Sequence, residues 1–589
     1  MNAEAHSMIN HLAEEIERLR SSVTGSGAIA AQPMSQLSLP SNSTTAVDLP
    51  HPQQERVLPE AFLTSATPDQ PLFLPSEIAP GISRPIEARI LGPVQLSPEV
   101  TIDLFQIFFK HYHHFLDILD PFLTPDLCYS TSPVLFWAII SVAARHYDQQ
   151  SNLFSSLGQP VTSLIWSTIS ALPHSQSTIQ AVLLISLWPF PTNSMATDIS
   201  FMLVTIAKTA AMQLGVHRPE IVQDFLRVKT RLDADQFQKA VRLWAGCYIA
   251  SQCVSASIGH PSILPSDWVI DQACDIDNQY TLPDNIRYHL LICKFIARAN
   301  SVMAEREGKT DEIEGLTIVA MLEGDFEDLE HRIGHKITVV HQILLSMASL
   351  QLRTYYFFIK HNTEVRKQGL LRAYATAISL IKKCADAESS WGFAQYAPDG
   401  WNQNVSMAAM LIMKIVHSSY ARYINTDEGE QAFNLVISLM RKALVQKVDV
   451  RFRVSVVLAQ LWGVHHSLAA RKDQEPSLNI RSRLGASILH DTLWQWRENF
   501  GRGCDPYPST VDPAVSVGQA NKVTESCQQT QSSLFDEQPR PDDIASAFEN
   551  DSFIAELGDA DWIWDVGFPS FLPIDIDSNS PSLPSSKDS

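Results

Sequence analysis

Eight cysteines, nineteen histidines and one Gly-Lys-Thr tripeptide are the residues here whose types could hold a metal, activate a nucleophile or cradle a phosphate. A local zinc site needs closely paired ligands, commonly cysteines two to four residues apart. Cys128, Cys247, Cys253, Cys274, Cys293, Cys384, Cys504 and Cys527 contain no pair separated by two residues, and Cys247 and Cys253 stand six apart. Most lie in apolar stretches, where a free buried thiol in a reducing compartment is the simpler reading. His111 and His114 in HYHH sit three apart, on one face of a helix, but no third ligand is spaced nearby. They read as packing side chains of an aromatic helix, and His465-His466 reads the same way. Gly308-Lys309-Thr310 resembles the end of a phosphate loop, yet Met303 occupies the place of the leading glycine and no strand precedes it. G-x-S-x-G, H-E-x-x-H and G-x-G-x-x-G are absent. No catalytic and no metal-binding residue is therefore assigned, and the chain is expected not to be an enzyme. A helical enzyme with a site gathered from distant residues is the weaker alternative.

Composition restricts the partners. The 589 residues are 45% hydrophobic and 18% charged, which suits a mostly folded protein. A formal charge of −20 does not suit a chain that coats nucleic acid by itself, because such binding neutralises phosphates with Lys and Arg. Between Asp536 and Asp588, 13 acidic residues face only Arg540 and Lys587, so the tail carries −11 of that charge. The basic clusters Arg227, Lys229, Arg231 and Arg441, Lys442, Lys447 read as solvated helix faces. The longest apolar runs, Pro133–Ala144 and Val454–Val464, are shorter than the roughly 18–20 residues that cross a bilayer, so no membrane partner is expected. The first twenty residues hold four glutamates and no continuous apolar stretch of a secretory signal.

The elements that would position any site are helical. Ser97-Pro98-Glu99 is a helix start: a capping hydroxyl, a proline at the first position, and an acid near the positive end of the dipole. Leu104, Phe105, Phe108, Phe109, Tyr112, Phe115 and Leu116 follow at helical spacing until Asp120-Pro121. Further periodic runs predict helices at 133–145, 161–171, 176–188, 198–215, 235–257, 285–304, 313–331, 336–361, 365–386, 403–424, 429–444, 450–470 and 480–499. Alternating strand patterns are nearly absent, so 97–503 is expected to be one large all-α domain.

The two ends differ from this body. Ile9, Leu12, Ile16, Leu19 and Val23 alternate by three and four within residues 5–23. β-Branched residues at a and leucine at d favour a parallel two-stranded coiled coil, and Glu15 at g would meet Arg20 at the following e. An amphipathic helix folded on its own domain is the competing reading, since about three heptads are marginal alone. Residues 24–96 and 504–533 are rich in Pro, Ser, Thr and Gln and read as linkers. Within 534–577 the segment DADWIWDVGFPSFLPIDID sets Trp562, Ile563, Trp564, Val566, Phe568, Phe571 and Leu572 among aspartates. Mutual repulsion of the acids keeps such a segment extended and its aromatics available to a coactivator groove. An acidic solubilising tail is the alternative.

LFQIFFKHYHHFLDILDP, SPVLFWAIISVAARHY, TIQAVLLISLWPFP, MQLGVHRPEIVQDFLRVKTRL and VLAQLWGVHH…RSRLGASILHDTLWQWRENFG occur in this order across 97–503. Together they resemble the regulatory domain of fungal zinc-cluster transcription factors, in the branch of the leucine-biosynthesis and weak-acid-response regulators. The resemblance implies an all-helical middle homology domain in a nuclear, DNA-binding, dimeric regulator that in some members senses a small metabolite. The family order is zinc cluster, linker, coiled coil, regulatory domain and activation region, and this chain matches from the coiled coil onward. Zinc belongs to the family's N-terminal cluster, so no cofactor is expected within the residues given. Promoter DNA is then expected to be read only through an upstream cluster or a partner. The expectation is a transcriptional activator of a metabolic pathway or a secondary-metabolite gene cluster. The alternative is a co-regulator that does not touch DNA and heterodimerises with a zinc-cluster factor.

Overall fold

The computed structural model describes residues 88–192, 195–226, 231–306, 312–334, 337–360, 363–446, 450–467 and 474–500. The heptad residues Ile9–Val23, the tail residues Trp562–Leu572 and Gly308-Lys309-Thr310 lie outside them. Apart from a short antiparallel hairpin, β1 (Arg89–Leu91) and β2 (Val94–Leu96), the regular structure among the described residues is helical. The hairpin turns through Gly92-Pro93, with Gly92 at φ +56° and the ring of Pro160 packed 3.5 Å from where its Cβ would be. It falls inside the segment 24–96 that composition assigns to a linker, so ordered backbone begins ahead of Ser97.

The helices are α1 (Pro98–Ile107), α2 (Pro125–Thr131), α3 (Pro133–Ala143), α4 (Leu153–Ser170), α5 (Gln176–Leu187), α6 (Ser200–Gln213) and α7 (Ala234–Ile258). They continue as α8 (Trp268–Cys274), α9 (Asp284–Ala304), α10 (Glu312–Ile333), α11 (Val339–Thr354) and α12 (Glu364–Trp391). The last are α13 (Phe393–Tyr396), α14 (Asp399–Val416), α15 (Thr426–Lys442), α16 (Val450–Ser467) and α17 (Ser487–Phe500). Local chemistry starts many of them. Ser97, Thr124 and Ser132 each accept a backbone N–H and are each followed by proline, whose missing donor costs nothing at that position. Asp233 and Gln236 form a reciprocal capping box at the head of α7, and Gly259 ends that helix at φ +72°.

Neighbours in sequence are largely neighbours in space. α3, α5, α6, α7, α9, α11, α12, α14 and α15 pack in succession, and α14 also touches α7, α11 and α17. One continuous apolar core runs from Val94 to Trp496. α3 is buried on all sides from Val134 to Ala143, which is why its sequence reads as a membrane-like run without the length of one. No helix of the described residues is long and apolar enough to cross a membrane.

Two buried charges fasten the C-terminal part of the domain. Arg366, 2% exposed, donates to the carbonyls of Ile359 (2.8 Å) and Pro476 (2.6 Å), to Tyr420 Oη (3.2 Å) and to Glu475 (3.1 Å). Asp491, fully buried on α17, accepts from the amides of Asn479 (2.7 Å) and Ile480 (3.0 Å), from Gln495 Nε2 (3.2 Å) and from Lys414 of α14. These bonds satisfy the charges that burial would otherwise penalise.

Candidate functional site

The residues singled out for metal chemistry have structural roles. The aromatic helix does not stay α-helical: after α1, residues Phe108–Tyr112 form a π turn and His113–Phe115 a 3-10 turn. His111 stacks on Tyr396 with ring centres 4.3 Å apart, and His114 meets the edge of Trp391 at 5.3 Å. His113 Nε2 lies 3.0 Å from the Leu119 carbonyl. Burial lowers the His111 and His114 imidazoles, His114 to about 4, so both are neutral packing groups near pH 7. Among the described residues no group of three or more His, Cys, Asp or Glu is arranged to hold a metal. Cys128, Cys247, Cys274, Cys293 and Cys384 are buried free thiols, and Cys253 is a half-buried one. Burial raises Cys253 to about 12 and Cys274 to about 11, which removes thiolate reactivity.

A large concavity lies between α11 and α12, closed at one end by the last turn of α10. Its volume is about 930 Å³. It arises from two matched stripes. On α11 the lining residues are Gln342, Leu345, Ser346, Ser349 and Arg353; on α12 they are Arg372, Ala375, Thr376, Ser379 and Lys383. Both stripes follow the same three-and-four spacing, so each forms one helical face. Small side chains at their centres keep the two faces from filling the gap, while the alternate positions Ile343, Met347 and Leu350 are buried in the core. A smaller depression of about 360 Å³ shares Ala375, Ser379 and Lys383 and extends the groove to Lys382, Asp386 and Glu428.

The charges of the groove are held in place from below. Glu323 of α10, 16% exposed at its side chain, accepts from Arg353 Nε at 3.3 Å, from Tyr356 Oη at 3.0 Å, and from Arg372. Arg353 also donates to Thr376, and Lys383 to Ser346 Oγ at 2.7 Å. Burial, followed by the neighbouring Glu323, pushes the Tyr356 phenol up to about 12, which leaves it a donor. The ring of Tyr356 reaches this position only because residue 369 is glycine: a Cβ there would sit 2.5 Å from ring carbons. One carboxylate thus orients two guanidiniums, and with Lys383 the groove has three cations against Glu323 and the rim residue Glu330. The arrangement suits a polar anion bound by salt bridges and hydroxyls.

Sequence reading passed over this groove because Ser, Thr and Ala at helical spacing look like an ordinary solvated face. The available signal was the repetition of one stripe, with a basic end, on two consecutive helices. The predicted dimerisation residues Ile9, Leu12, Ile16, Leu19 and Val23, and the activation residues Trp562, Ile563, Trp564, Val566, Phe568, Phe571 and Leu572, fall outside the described residues.

Residues 105–322 match the fungal specific transcription factor domain. The chain is 25% identical to the regulatory protein LEU3 of Saccharomyces cerevisiae over 494 residues, covering 73% of this chain and 55% of that protein. It is 28% identical to the putative transcription factor SEF1 of Eremothecium gossypii over 416 residues, 69% of this chain and 37% of that one. It is 25% identical to the transcriptional regulatory protein SEF1 of Candida albicans over 459 residues, 74% and 48% respectively. The chain therefore spans about half, or less, of the length of these curated relatives. No solved structure matches.

Proposed function

We propose that this chain, whose residues 105–322 match the fungal specific transcription factor domain, is a nuclear activator controlled by a small anionic metabolite. The metabolite occupies the groove between α11 and α12, and its presence sets the availability of the acidic-aromatic segment 534–577 to a coactivator. The heptad residues 5–23 pair the chain with a second copy or with a zinc-cluster partner, and promoter DNA is contacted through a zinc cluster of that assembly. Its targets belong to a metabolic pathway or a secondary-metabolite cluster. The single observation that carries this reading is the pair of matched polar stripes ending in Arg353, Arg372 and Lys383 around a cavity of about 930 Å³. Such a cavity is large enough for a metabolite.

The test is a reporter driven by the full chain fused to a foreign DNA-binding domain. Trp562→Ala with Trp564→Ala is expected to lower output at least fivefold. Reversing the groove with Arg372→Glu and Lys383→Glu is expected to change output at least threefold at equal protein level. Output unmoved by both pairs overturns the reading.

A further inference from the structure

The loop that follows α7 and the segment that precedes α17 meet at a cluster of basic side chains. Gly259, at φ +72°, has no room for a Cβ against the Arg483 carbonyl, so the two backbones touch. Leu484, 7% exposed, is held at φ +44°, a left-handed conformation that a leucine keeps only where its surroundings fix it. Arg483 Nη1 lies 2.8 Å from His260 Nε2. A guanidinium only donates, so Nε2 accepts and the neutral imidazole carries its proton on Nδ1. Burial, followed by Arg483, lowers His260, which keeps the ring neutral near pH 7. Phe201, in the first turn of α6, stacks on this ring with centres 5.5 Å apart and fixes its plane. Two turns further along α6, Lys208 donates to the Ile263 carbonyl at 2.7 Å. Gln252 braces the same loop by donating to Ser262 and, at 3.3 Å, to the Leu264 carbonyl.

The charges of this cluster are one-sided. Arg218, Arg353 and Arg366 each meet a carboxylate, but among the described residues neither Arg483 nor Lys208 does. Asp198, ahead of α6, accepts from the backbone N–H of Ser200 at 2.8 Å. We propose that Arg483, His260 and Lys208 bind a phosphoryl group. Arg483 supplies the guanidinium fork, His260 its Nδ1–H, and Lys208 the ammonium donors that Ile263 leaves over. A phosphoryl group brings three acceptor oxygens and up to two negative charges, which matches two cations without a carboxylate; a carboxylate ligand brings one charge. Free phosphate and a phosphomonoester share this chemistry. The site is separate from the groove between α11 and α12 and does not rest on the reading of that groove.

Isothermal titration calorimetry with phenyl phosphate, inorganic phosphate and benzoate tests the proposal, in the full chain carrying Lys383→Glu so that the groove competes less for anions. The expected result is saturable one-to-one uptake of phenyl phosphate, at least tenfold tighter than benzoate. Inorganic phosphate bound within tenfold of phenyl phosphate, or more tightly, assigns the site to the free ion; a weaker hold assigns it to an ester, and either supports the proposal. Arg483→Gln should weaken phenyl phosphate at least tenfold. Lys208→Gln and His260→Phe, which keeps the stack on Phe201 but removes the N–H, should each weaken it severalfold. Benzoate bound as tightly as phenyl phosphate, no saturable heat up to about 10 mM, or an affinity that Arg483→Gln leaves unmoved each overturns the proposal. Should Arg483→Gln fail to fold, unaltered affinity in both Lys208→Gln and His260→Phe overturns it equally.

Discussion

Replacing Asp491 by alanine is expected to be among the most damaging single changes in the domain. The side chain is fully buried, and its partner Lys414 is 6% exposed. Removing one member of a buried ion pair leaves an uncompensated charge and costs about 3–5 kcal/mol. The amides of Asn479 and Ile480 lose their acceptor as well, each worth about 1–3 kcal/mol when left buried, less whatever the loop regains by opening to water. A loss of at least about 4 kcal/mol follows, a large share of the roughly 5–15 kcal/mol that holds a typical native state. Lys414→Met should cost less, because Asp491 keeps three donors from Asn479, Ile480 and Gln495. The double variant should cost less than the sum of the singles, since neither charge is then stranded. Urea unfolding of the full chain followed by tryptophan fluorescence measures all three. A loss below about 1 kcal/mol for Asp491→Ala, or a larger loss for Lys414→Met, would refute this account of the clamp.

Arg366→Lys should lose about 2–4 kcal/mol in the same assay, because one ammonium cannot replace a fork bonded to Ile359, Pro476, Tyr420 and Glu475 at once. Gly369→Ala should cost about 1–3 kcal/mol by overpacking against the Tyr356 ring, and Tyr356→Leu in that background should recover part of it in the thermal midpoint. Burial lowers His289 to about 3 and His490 to about 4, so the unfolded chain binds their protons first as pH falls below its ordinary imidazole value. Stability supplied by these neutral rings is complete above about pH 6.5 and declines down to about pH 4 for His490 and about pH 3 for His289, at up to about 1.4 kcal/mol per pH unit for each. Urea midpoints between pH 7 and 4 test this, and His289→Gln should flatten the slope.

Much of the helical framework was legible because strong periodicity and caps agreed. Ser97-Pro98 and Ser132-Pro133 start helices where their residue types require it. Departures have local causes. The predicted start at 161 falls just after Pro160, yet α4 begins at Leu153 and carries that proline inside, where its ring rests against Gly92 of the hairpin. The aromatic helix was expected to run to Asp120, but its bulky rings pack against Tyr396, Trp188 and Trp391 from different elements, and the backbone rewinds to let them. The helix predicted at 403–424 ends at Val416, and Ser418 caps a separate 3-10 turn. α2 and α8 are too short for periodicity to reveal. The groove left only its repeated stripe as a trace in the chain, because the cavity itself depends on which helices lie side by side.

The fastening of residues 474–500 by Arg366 and Asp491 bears on how alleles of this gene are interpreted. A premature stop upstream of residue 491 does not merely shorten the protein; it removes the Asp491 partner of Lys414, and one upstream of residue 475 removes the Glu475 partner of Arg366 as well. Such alleles should behave as quality-control substrates cleared by the proteasome, while deletions that begin beyond residue 500 spare the clamp and isolate what the tail contributes.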